Sequence, residues 1–485
     1  MTIYFGDLHN HTNLSADIGT GAASPEACML QAKATLDFFS FSDHSQYPDC
    51  PQSGITVEDT FEGWRHGLKE LTEGWPGIQK LIKENNKPGE FVTFLGYEWS
   101  SGRWGDRIVY YFNDDEPIRF ANTAAELYSS LQGVKAMVIP HHTAYPIHHR
   151  GLDWETFYSS QAPVVEMFSG HGSSETDDGP YDFTGNPMGP RARAGTAQRG
   201  LELGHIFGFI GSSDEHAGFP GFYGHGLAAV HAEELTREAI WDAFWKRRTY
   251  AVTGDRILLD FQLNGHPMGS VLKADLQQSR QMTVAVDGWD SLDRVEILKD
   301  CQVVKRWSDF DTRPIAGAQH FKVWTHWGYH WRGAKDWKIS VEVDDGSISG
   351  YNPCFQPPGY GYPRLIGTKR LEIASRTDPR GKVVFQQMCL GIEGRPETRL
   401  TILDEGKAVL TGTVGELLGD TTAAMPFGDF NGAYSLGRAV AAPHYSAQLE
   451  WEDPVKDGAR DYYYVRVFQK NGQMAWSSPI WVMQP

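Results

Sequence analysis

Cysteine is scarce in this chain. Its 485 residues include five cysteines, Cys28, Cys50, Cys301, Cys354 and Cys389, and no two of them form a CxxC pair. A small, scattered set is typical of reduced thiols rather than of a disulfide framework. The first residues contain no basic stretch followed by an apolar core, so no secretory signal is predicted. Together these absences predict a cytoplasmic protein.

Long apolar runs and an excess of positive charge are also missing. No apolar run approaches the ~18–20 residues that cross a bilayer, so no membrane partner is expected. The formal net charge of −17 argues against a nucleic-acid backbone or an anionic membrane as the main partner. A local metal site can still attract a small anion. The predicted partner is therefore a small-molecule substrate, not nucleic acid, and a homo-oligomer is compatible with the sequence.

The length and the pattern of the chain predict two domains. A chain of 485 residues exceeds what one compact core usually holds. Up to about residue 255, apolar β-rich runs alternate with helical patterns, whereas short alternating strands and turns such as Asn264-Gly265 follow. The predicted domains are residues 1–255, an α/β barrel, and residues 256–485, an all-β sandwich-like accessory domain.

Strands and helices alternate in the first of these domains. The predicted strands are 3–7, 38–42, 91–97, 108–112, 136–140, 164–168, 206–211 and 227–230, and the predicted helices are 25–35, 60–85, 124–131 and 234–247. The first helix opens with Ser24 as N-cap before Pro25, and the last opens near Thr236. Such alternation predicts a mainly parallel sheet covered by helices. About seven units favour an α/β barrel over an open sheet.

Residues that commonly bind metals follow most of these strands. His9 and His11 follow the first strand, and side chains two residues apart in a strand point the same way, so both can reach one ion. The other strand-end residues are Asp43, His44, Glu98, His141, His142, His171, Asp214, Glu215 and His216. The carboxyl ends of parallel barrel strands converge on one rim. Each residue alone is more often a cap, a turn or a buried hydrogen-bonded group, but six coincidences at strand ends favour a metal centre.

The ordered motifs resemble those of the PHP (polymerase and histidinol phosphatase) family across about residues 1–231. They are Asp7-Leu8-His9-Asn10-His11-Thr12, Ser42-Asp43-His44-Ser45, Glu98, His141 and Ser213-Asp214-Glu215-His216. The resemblance implies a distorted (β/α)7 barrel that usually holds three metal ions. The branch with an appended β-sandwich implies a metal-dependent hydrolase without naming a substrate.

The resemblance also implies a role for each ligand. His9, His11 and Asp214 would bind the first metal, Glu98 would bridge the first and second, His141 and His171 would complete the second, and Asp17, His44 and His216 would hold the third. The motif after His11 normally runs Ser-Asp-Gly, and here it reads Ser15-Ala16-Asp17-Ile18-Gly19. His142 stands where proline is more usual, which predicts a substrate-facing residue or proton donor.

Imidazoles and carboxylates without cysteine favour Zn, Mn or Fe, and two to three divalent ions are expected. A water bridging two such ions is acidified to hydroxide near neutral pH and attacks phosphorus or a carbonyl carbon. The predicted function is a phosphoesterase in which His142, Asp214 and Arg103 are catalytic. The predicted substrate-binding residues are His142, Arg191, Arg193 and Arg199, the arginines lying in a glycine-rich segment, 170–204, that is expected to be a functional lid.

Three alternatives remain at this stage. The arginines can be solvated loop charges. An aromatic pocket built from Trp99, Trp104 and Tyr145 would favour a lactone, an amide or a sugar-derived substrate over a phosphoester. A non-catalytic, metal-stabilised binding module is the third, and the full set of ligand types argues against it.

Overall fold

The computed structural model describes residues 1–15, 22–49, 57–184, 188–273, 279–330, 333–357, 360–381, 383–419, 422–424, 432–454 and 460–483, with the backbone alone for 57–67 and 422–424. The α-helices in these ranges are α1 (Pro25–Thr35), α2 (Val57–Asn85), α3 (Ala124–Ser130), α4 (Ala197–Glu202), α5 (Arg237–Trp245), α6 (Val414–Gly419) and α7 (Ala442–Tyr445). Short 3-10 turns occupy Trp154–Thr156, Arg193–Gly195, Phe310–Thr312 and Pro379–Gly381.

The strands of the first half are β1 (Thr2–Asp7), β2 (Phe38–Ser40), β3 (His44–Gln46), β4 (Val92–Trp99), β5 (Arg107–Tyr111), β6 (Ala136–Pro140), β7 (Val164–Ser169), β8 (Gly172–Ser173), β9 (Gly208–Gly211), β10 (Leu227–Ala232) and β11 (Thr249–Val252). Those of the second half are β12 (Leu258–Leu263), β13 (His266–Pro267), β14 (Val271–Lys273), β15 (Arg280–Asp287), β16 (Leu292–Lys299), β17 (Gln302–Trp307), β18 (His320–Gly328), β19 (Lys335–Asp344), β20 (Ser347–Cys354), β21 (Gly361–Ile366), β22 (Arg370–Thr377), β23 (Phe385–Glu393), β24 (Arg399–Asp404), β25 (Lys407–Thr413), β26 (Thr422–Ala424), β27 (Ala433–Ala441), β28 (Ser446–Asp453), β29 (Arg460–Gln469), β30 (Met474–Ser477) and β31 (Ile480–Met483).

The main path of the largest sheet runs in the order β14-β31-β29-β30-β11-β10-β1-β2-β4-β5-β6 and includes β1 and β4, which lead into the site. Strands β7 and β9, which lead to His171 and Asp214, belong to a separate three-stranded sheet, β8-β7-β9. Strands β1, β2 and β4 are parallel, but β10 is antiparallel to β1, and β5 is antiparallel to both β4 and β6. The prediction of a mainly parallel sheet was therefore wrong, and the (β/α)7 barrel is not confirmed. The reason is local, because residues 100–106 between β4 and β5 are too few for a helical crossover.

The predicted starts of two helices are confirmed. Ser24 caps α1, accepting from the backbone N–H of Ala27 at 3.4 Å, and Pro25 occupies the first turn. Thr236 caps α5 in the same way, accepting from Ala239 at 3.2 Å. None of the helices among the described residues is both long and apolar enough to span a bilayer.

The second half is rich in β-structure, as predicted. It forms a four-stranded sheet, β13-β12-β15-β28, and two five-stranded sheets, β20-β23-β18-β27-β26 and β21-β22-β19-β24-β25. Trp327, Trp337 and Trp481 are fully buried, so these aromatic side chains contribute to the core of the second half. The largest sheet continues across the predicted domain boundary, since β11 pairs with β30. The boundary at residue 255 stays a prediction.

A buried carboxylate lies where the two halves meet. Asp255 accepts hydrogen bonds from the Tyr223 hydroxyl at 3.0 Å and from the side-chain amides of Asn352 at 2.8 Å, Gln469 at 2.6 Å and Asn471 at 2.7 Å. All four donors are neutral. Burial dominates over these hydrogen bonds and raises the pKa of Asp255 to about 6.

This raised pKa predicts a pH-dependent stability term. Because the folded state holds the Asp255 proton more tightly than the unfolded chain, the contribution of Asp255 is lost as the pH rises from about 4 to about 6. We expect the unfolding free energy of the wild type minus that of Asp255→Asn to fall by about 2 kcal/mol between pH 4 and pH 7, as measured by urea unfolding. Asp336→Asn, at an exposed aspartate paired with Arg376, is the matched control. A difference that does not change with pH would contradict this expectation.

Candidate metal centre

Asp7, the last residue of β1, holds two parts of the site together. Its buried carboxylate accepts hydrogen bonds from the backbone N–H groups of Ser213 at 3.0 Å and Gly221 at 2.9 Å, and from the Ser213 hydroxyl at 2.5 Å. Burial raises the pKa of Asp7, whereas these hydrogen bonds favour its charged form. The segments that follow β1 and β9 are thereby fixed side by side.

His9 lies between three buried carboxylates. Its Nδ1 donates to Glu166 Oε2 at 2.8 Å, while its Nε2 lies 3.1 Å from Asp214 Oδ1 and 3.5 Å from Glu98 Oε2. Burial lowers the pKa of His9, but Asp214 and Glu166 outweigh burial and raise it well above the ordinary value. A divalent cation bound at Nε2 would displace that proton.

Glu98, near the end of β4, lies among several imidazoles. Its carboxylate oxygens are 3.4 Å from His11 Nε2, 3.3 Å from His44 Nδ1 and 3.3 Å from His141 Nε2. Although burial opposes ionisation, His44 and His141 hold the pKa of Glu98 well below its usual range. The side chain is therefore a carboxylate, the form that binds cations.

Asp214, like Glu98, is a buried carboxylate that lies next to the Nε2 atom of His9. Its Oδ2 lies 2.9 Å from His171 Nε2, and its Oδ1 lies 3.4 Å from His11 Nε2. Burial opposes ionisation here too, yet His9 and His171 keep the pKa of Asp214 well below its usual range. Its backbone is left-handed, with φ +52°, and its carbonyl accepts from His216 Nδ1 at 2.9 Å. This turn directs the carboxylate into the cluster while His216 packs beside it.

The outer nitrogens of three of the imidazoles are occupied by hydrogen bonds. His11 Nδ1 is bonded to the Ser15 hydroxyl at 2.8 Å, and His171 Nδ1 to the Tyr145 hydroxyl at 2.8 Å, as His9 Nδ1 is to Glu166. Hydrogen bonds of this kind fix the tautomer and ring orientation of metal-binding histidines. They leave Nε2 as the nitrogen that faces the cluster.

The donor set fits divalent cations. The Nε2 atoms of His9, His11 and His141 are buried and have no hydrogen-bond partner among the described residues. Burial lowers the pKa of both His11 and His141 to about 3, so both are neutral at pH 7, which is the ligand form. The groups of three whose ligand atoms lie within 4.8 Å of one another are His11-His44-His216, His9-Glu98-His141, His9-His11-Asp214, Asp106-His141-His142 and His142-His171-Asp214.

These groups bring together eight of the nine metal ligands expected from the sequence. They are His9, His11, His44, Glu98, His141, His171, Asp214 and His216. The ninth, Asp17, lies outside the described residues.

His142 forms a separate buried arrangement beside the cluster. Its Nε2 lies 3.2 Å from Asp106 Oδ2, which also accepts from Arg150 Nε at 2.6 Å, while Asp106 Oδ1 accepts from the backbone N–H of Ser101 at 2.6 Å. Burial would raise the pKa of Asp106, but Arg150 and His142 outweigh it and lower the pKa to about 2. The His142 ring is therefore held by a charged, fully oriented carboxylate.

The loop that carries His142 has an unusual backbone. His142, His148 and Arg150 are all left-handed, with φ of +30°, +64° and +68°. A Cβ at Gly151 would lie 1.8 Å from the carbonyl oxygen of Tyr145, so only glycine fits there. Left-handed non-glycine residues cost about 1–3 kcal/mol each and persist where the surrounding contacts hold them. Such strain is concentrated at functional sites.

The four arginines predicted from the sequence lie away from the metal ligands. Arg103 is exposed. Arg191 is bound within its own loop, donating to the carbonyls of Gly179 and Thr176 among others. Arg193 and Arg199 are exposed and pair with Glu202. The arginine next to the cluster is instead Arg150, whose Nη2 lies 4.0 Å from Glu98 Oε1.

Three residues that contact the candidate site, Glu166, Asp106 and Arg150, were not predicted from the sequence. Glu166 carried a usable signal, because it is a charge inside the apolar run Val164–Ser169 of a buried strand. Asp106 and Arg150 carried none, since they meet across 44 residues through loop geometry. The segment 170–204 contains α4 and is attached to the second half, where Glu175 accepts from Tyr464 at 2.7 Å.

Comparison with known proteins identifies relatives without a stated activity. A family model described as a protein of unknown function (DUF3604) matches residues 222–316. An uncharacterized protein of Chlamydia pneumoniae is 30% identical over 253 residues, which are 47% of this chain and 40% of that protein. An uncharacterized protein of Chlamydia muridarum is 26% identical over 245 residues, 46% of this chain and 39% of that protein. The chain thus spans about two fifths of the length of these curated relatives.

Solved structures give weaker similarities. A two-domain protein from Bacteroides vulgatus containing a predicted PHP-like metal-dependent phosphoesterase aligns with 61% of this chain and 79% of its own, at TM-score 0.34 and 14% identity. The lesion-specific endonuclease PfuEndoQ from Pyrococcus furiosus aligns with 50% of this chain and 56% of its own, at TM-score 0.32 and 13% identity. Similarities at this level are too low to define the fold or the reaction of this chain.

Proposed function

We propose that this protein is a metal-dependent hydrolase that acts as a phosphoesterase on a small molecule. The observation that carries the proposal is the buried cluster in which Glu98 and Asp214, both charged, lie within 3.5 Å of imidazole nitrogens from His9 and His11. Charged carboxylates and neutral imidazoles are the ligands of catalytic Zn, Mn and Fe sites.

Two to three divalent ions fit this donor set. His9, His11 and Asp214 would hold one ion. Glu98 would lie between this ion and His141. His44 and His216 would hold another ion, with His11 nearby. Ions bound there would supply Lewis acidity and an acidified water at neutral pH. The protein's own contribution is to fix the ligands through Glu166 and the other outer hydrogen bonds.

His142 is proposed to deliver the proton that the leaving group requires. Its Nε2 faces Asp106, and its Nδ1 is buried without a hydrogen-bond partner among the described residues. The same ring lies near both His171 and Asp214, two residues of the proposed reacting centre. Asp106 acts through His142 as a positioning residue, in the manner of the carboxylate that orients a catalytic histidine.

The surroundings favour a phosphoester over an aromatic or lactone substrate. Arg150 places a guanidinium beside Glu98, where it can neutralise a phosphoryl oxygen. Trp99 is fully buried and donates through Nε1 to the carbonyl of Ala121, so it belongs to the core. The Tyr145 hydroxyl is already bonded to His171. These contacts support a charged pocket over the aromatic pocket considered from the sequence.

Metal analysis combined with a substrate screen tests this proposal. Protein loaded with Mn, Zn or Fe is expected to hydrolyse phosphomonoesters or phosphodiesters, and chelation is expected to abolish turnover. Hydrolysis of lactones or amides alone would replace the phosphoesterase with the second candidate reaction. Absence of bound metal together with absence of any hydrolysis would overturn the metal-enzyme proposal.

His9→Ala tests the cluster directly. Because the His9 ring faces both Asp214 and Glu98, its loss is expected to remove at least one metal ion per chain and to lower kcat/KM by about a hundredfold or more. Metal content is measured by plasma mass spectrometry. His320→Ala, at an exposed histidine on β18, is the matched control and should change neither quantity. Unchanged metal content in His9→Ala would remove His9 from the site.

A further inference from the structure

A cavity of about 720 Å³ opens next to the metal cluster. Its lining includes Tyr47, Arg103, His148, His149 and Arg150. Arg150 links the cavity to the cluster, because its Nη2 lies 4.0 Å from Glu98 while its guanidinium lies 5.6 Å from the centre of the Tyr47 ring. The volume suits a small ligand that reaches from the metals to the protein surface.

The walls of this cavity carry two arginines, Arg103 and Arg150, against one carboxylate, Asp49, in a strongly acidic protein. The Asp49 carboxylate accepts from the backbone N–H groups of Gly102 at 3.2 Å and Arg103 at 2.7 Å and from the Ser101 hydroxyl at 3.1 Å, which directs its oxygens at these three donors. Arg103 and His149 are exposed at the rim. The chain as a whole has a net charge of −17, so the local charge of this cavity differs from that of the rest of the protein.

The Nη1 atom of Arg150 is available to bind a ligand in the cavity. Its Nε and Nη2 bind Asp106, whereas its Nη1 contacts the sulfur of Met188 at 3.0 Å, which is a weak acceptor. Met188 itself lines the cavity. An anionic oxygen entering the cavity would find a charged donor there, next to the reacting centre.

We infer that the substrate is a phosphomonoester whose leaving alcohol carries a second anionic group, and that this second group is bound at the cavity rim by Arg103 and His149. The inference rests on the proposed function. In the reaction, water adds to phosphorus, the bond from phosphorus to the alcohol oxygen breaks, and that oxygen takes a proton. Metal ions bound by the cluster, together with Arg150, would hold the phosphoryl group, while the rim would select the alcohol.

A matched pair of substrates tests the inference. Glycerol 3-phosphate and 3-phosphoglycerate differ by a hydroxymethyl group in place of a carboxylate. We expect the metal-loaded wild type to prefer 3-phosphoglycerate by about tenfold in kcat/KM, as for one charge-assisted hydrogen bond. Added salt should reduce this ratio. Equal kcat/KM values for the two substrates would overturn the inference and leave the phosphoesterase proposal intact.

The double variant Arg103→Ala/His149→Ala is expected to bring the ratio close to one through a higher KM for 3-phosphoglycerate. Arg376→Ala/His320→Ala, at an exposed arginine and histidine of the second half, is the matched control and should keep the wild-type ratio. Calorimetric binding of both compounds is measured on the same proteins. Binding of 3-phosphoglycerate that disappears in the rim variant supports the cavity even without turnover, whereas equal binding by wild type and rim variant contradicts it.

Discussion

Glu98→Gln is expected to abolish most of the activity and to remove bound metal. The Glu98 carboxylate lies within 3.5 Å of imidazole nitrogens from four histidines, His9, His11, His44 and His141. Glutamine has the same shape, but it is uncharged and directs an amide N–H₂ at nitrogens that should face a cation. Loss of metal stabilisation worth several kcal/mol corresponds to a fall in kcat on the order of a thousandfold.

Metal content and kcat, measured on the same preparation, check this expectation. Glu342→Gln provides the control, because Glu342 is an exposed glutamate of β19 paired with Arg370 and far from the cluster in sequence. The buried Glu98→Gln variant should remain folded, since the substitution keeps the side-chain volume. Full metal content with wild-type kcat would show that Glu98 is not a ligand.

His142→Asn is expected to lower kcat by about a hundredfold or more while leaving the metal content unchanged. The Nε2 atom of His142 is oriented by Asp106 and is therefore directed at that carboxylate rather than at Glu98. A proton donor matters most when the leaving group is poor. The loss should therefore be large for an alkyl phosphate and small for p-nitrophenyl phosphate.

Asp106→Asn tests whether Asp106 acts by orienting the His142 ring for proton transfer. An asparagine amide would still contact His142 and Arg150 but would lack the charge that orients the imidazole ring, so kcat should fall more for an alkyl phosphate than for p-nitrophenyl phosphate. His320→Asn should leave kcat on both esters unchanged. Equal losses on the alkyl and nitrophenyl esters, or loss of metal in His142→Asn, would make His142 a ligand instead of a proton donor.

Much of the secondary structure follows from local sequence. All eight strands predicted in the first half overlap observed strands, and the Ser24 and Thr236 caps lie where expected. Hydrophobic runs, helix caps and prolines act over a few residues, so their consequences can be predicted without the rest of the chain. The direction of each strand depends on how the connections pack, and the prediction of a mainly parallel sheet was wrong for that reason.

The ligand types could be predicted because they follow the ends of strands. His9, His11, Glu98 and Asp214 occupy positions where a buried strand delivers a polar side chain to the edge of a sheet. The residues that orient them are harder to predict. Glu166 and Tyr145 contact His9 and His171 across 157 and 26 residues, and a hydrogen bond of that kind leaves no periodic pattern.

The sequence by itself determined which residue types assemble here, namely imidazoles and carboxylates without cysteine at successive strand ends, and therefore a metal centre as the working hypothesis. Only the tertiary structure decided which arginine lies next to that centre. Arg150 reaches Asp106 and Glu98 because a strained loop closes at Gly151, whereas Arg191, Arg193 and Arg199 are bound elsewhere. The physical reason is that ligand chemistry depends on residue identity, whereas proximity depends on how distant loops pack.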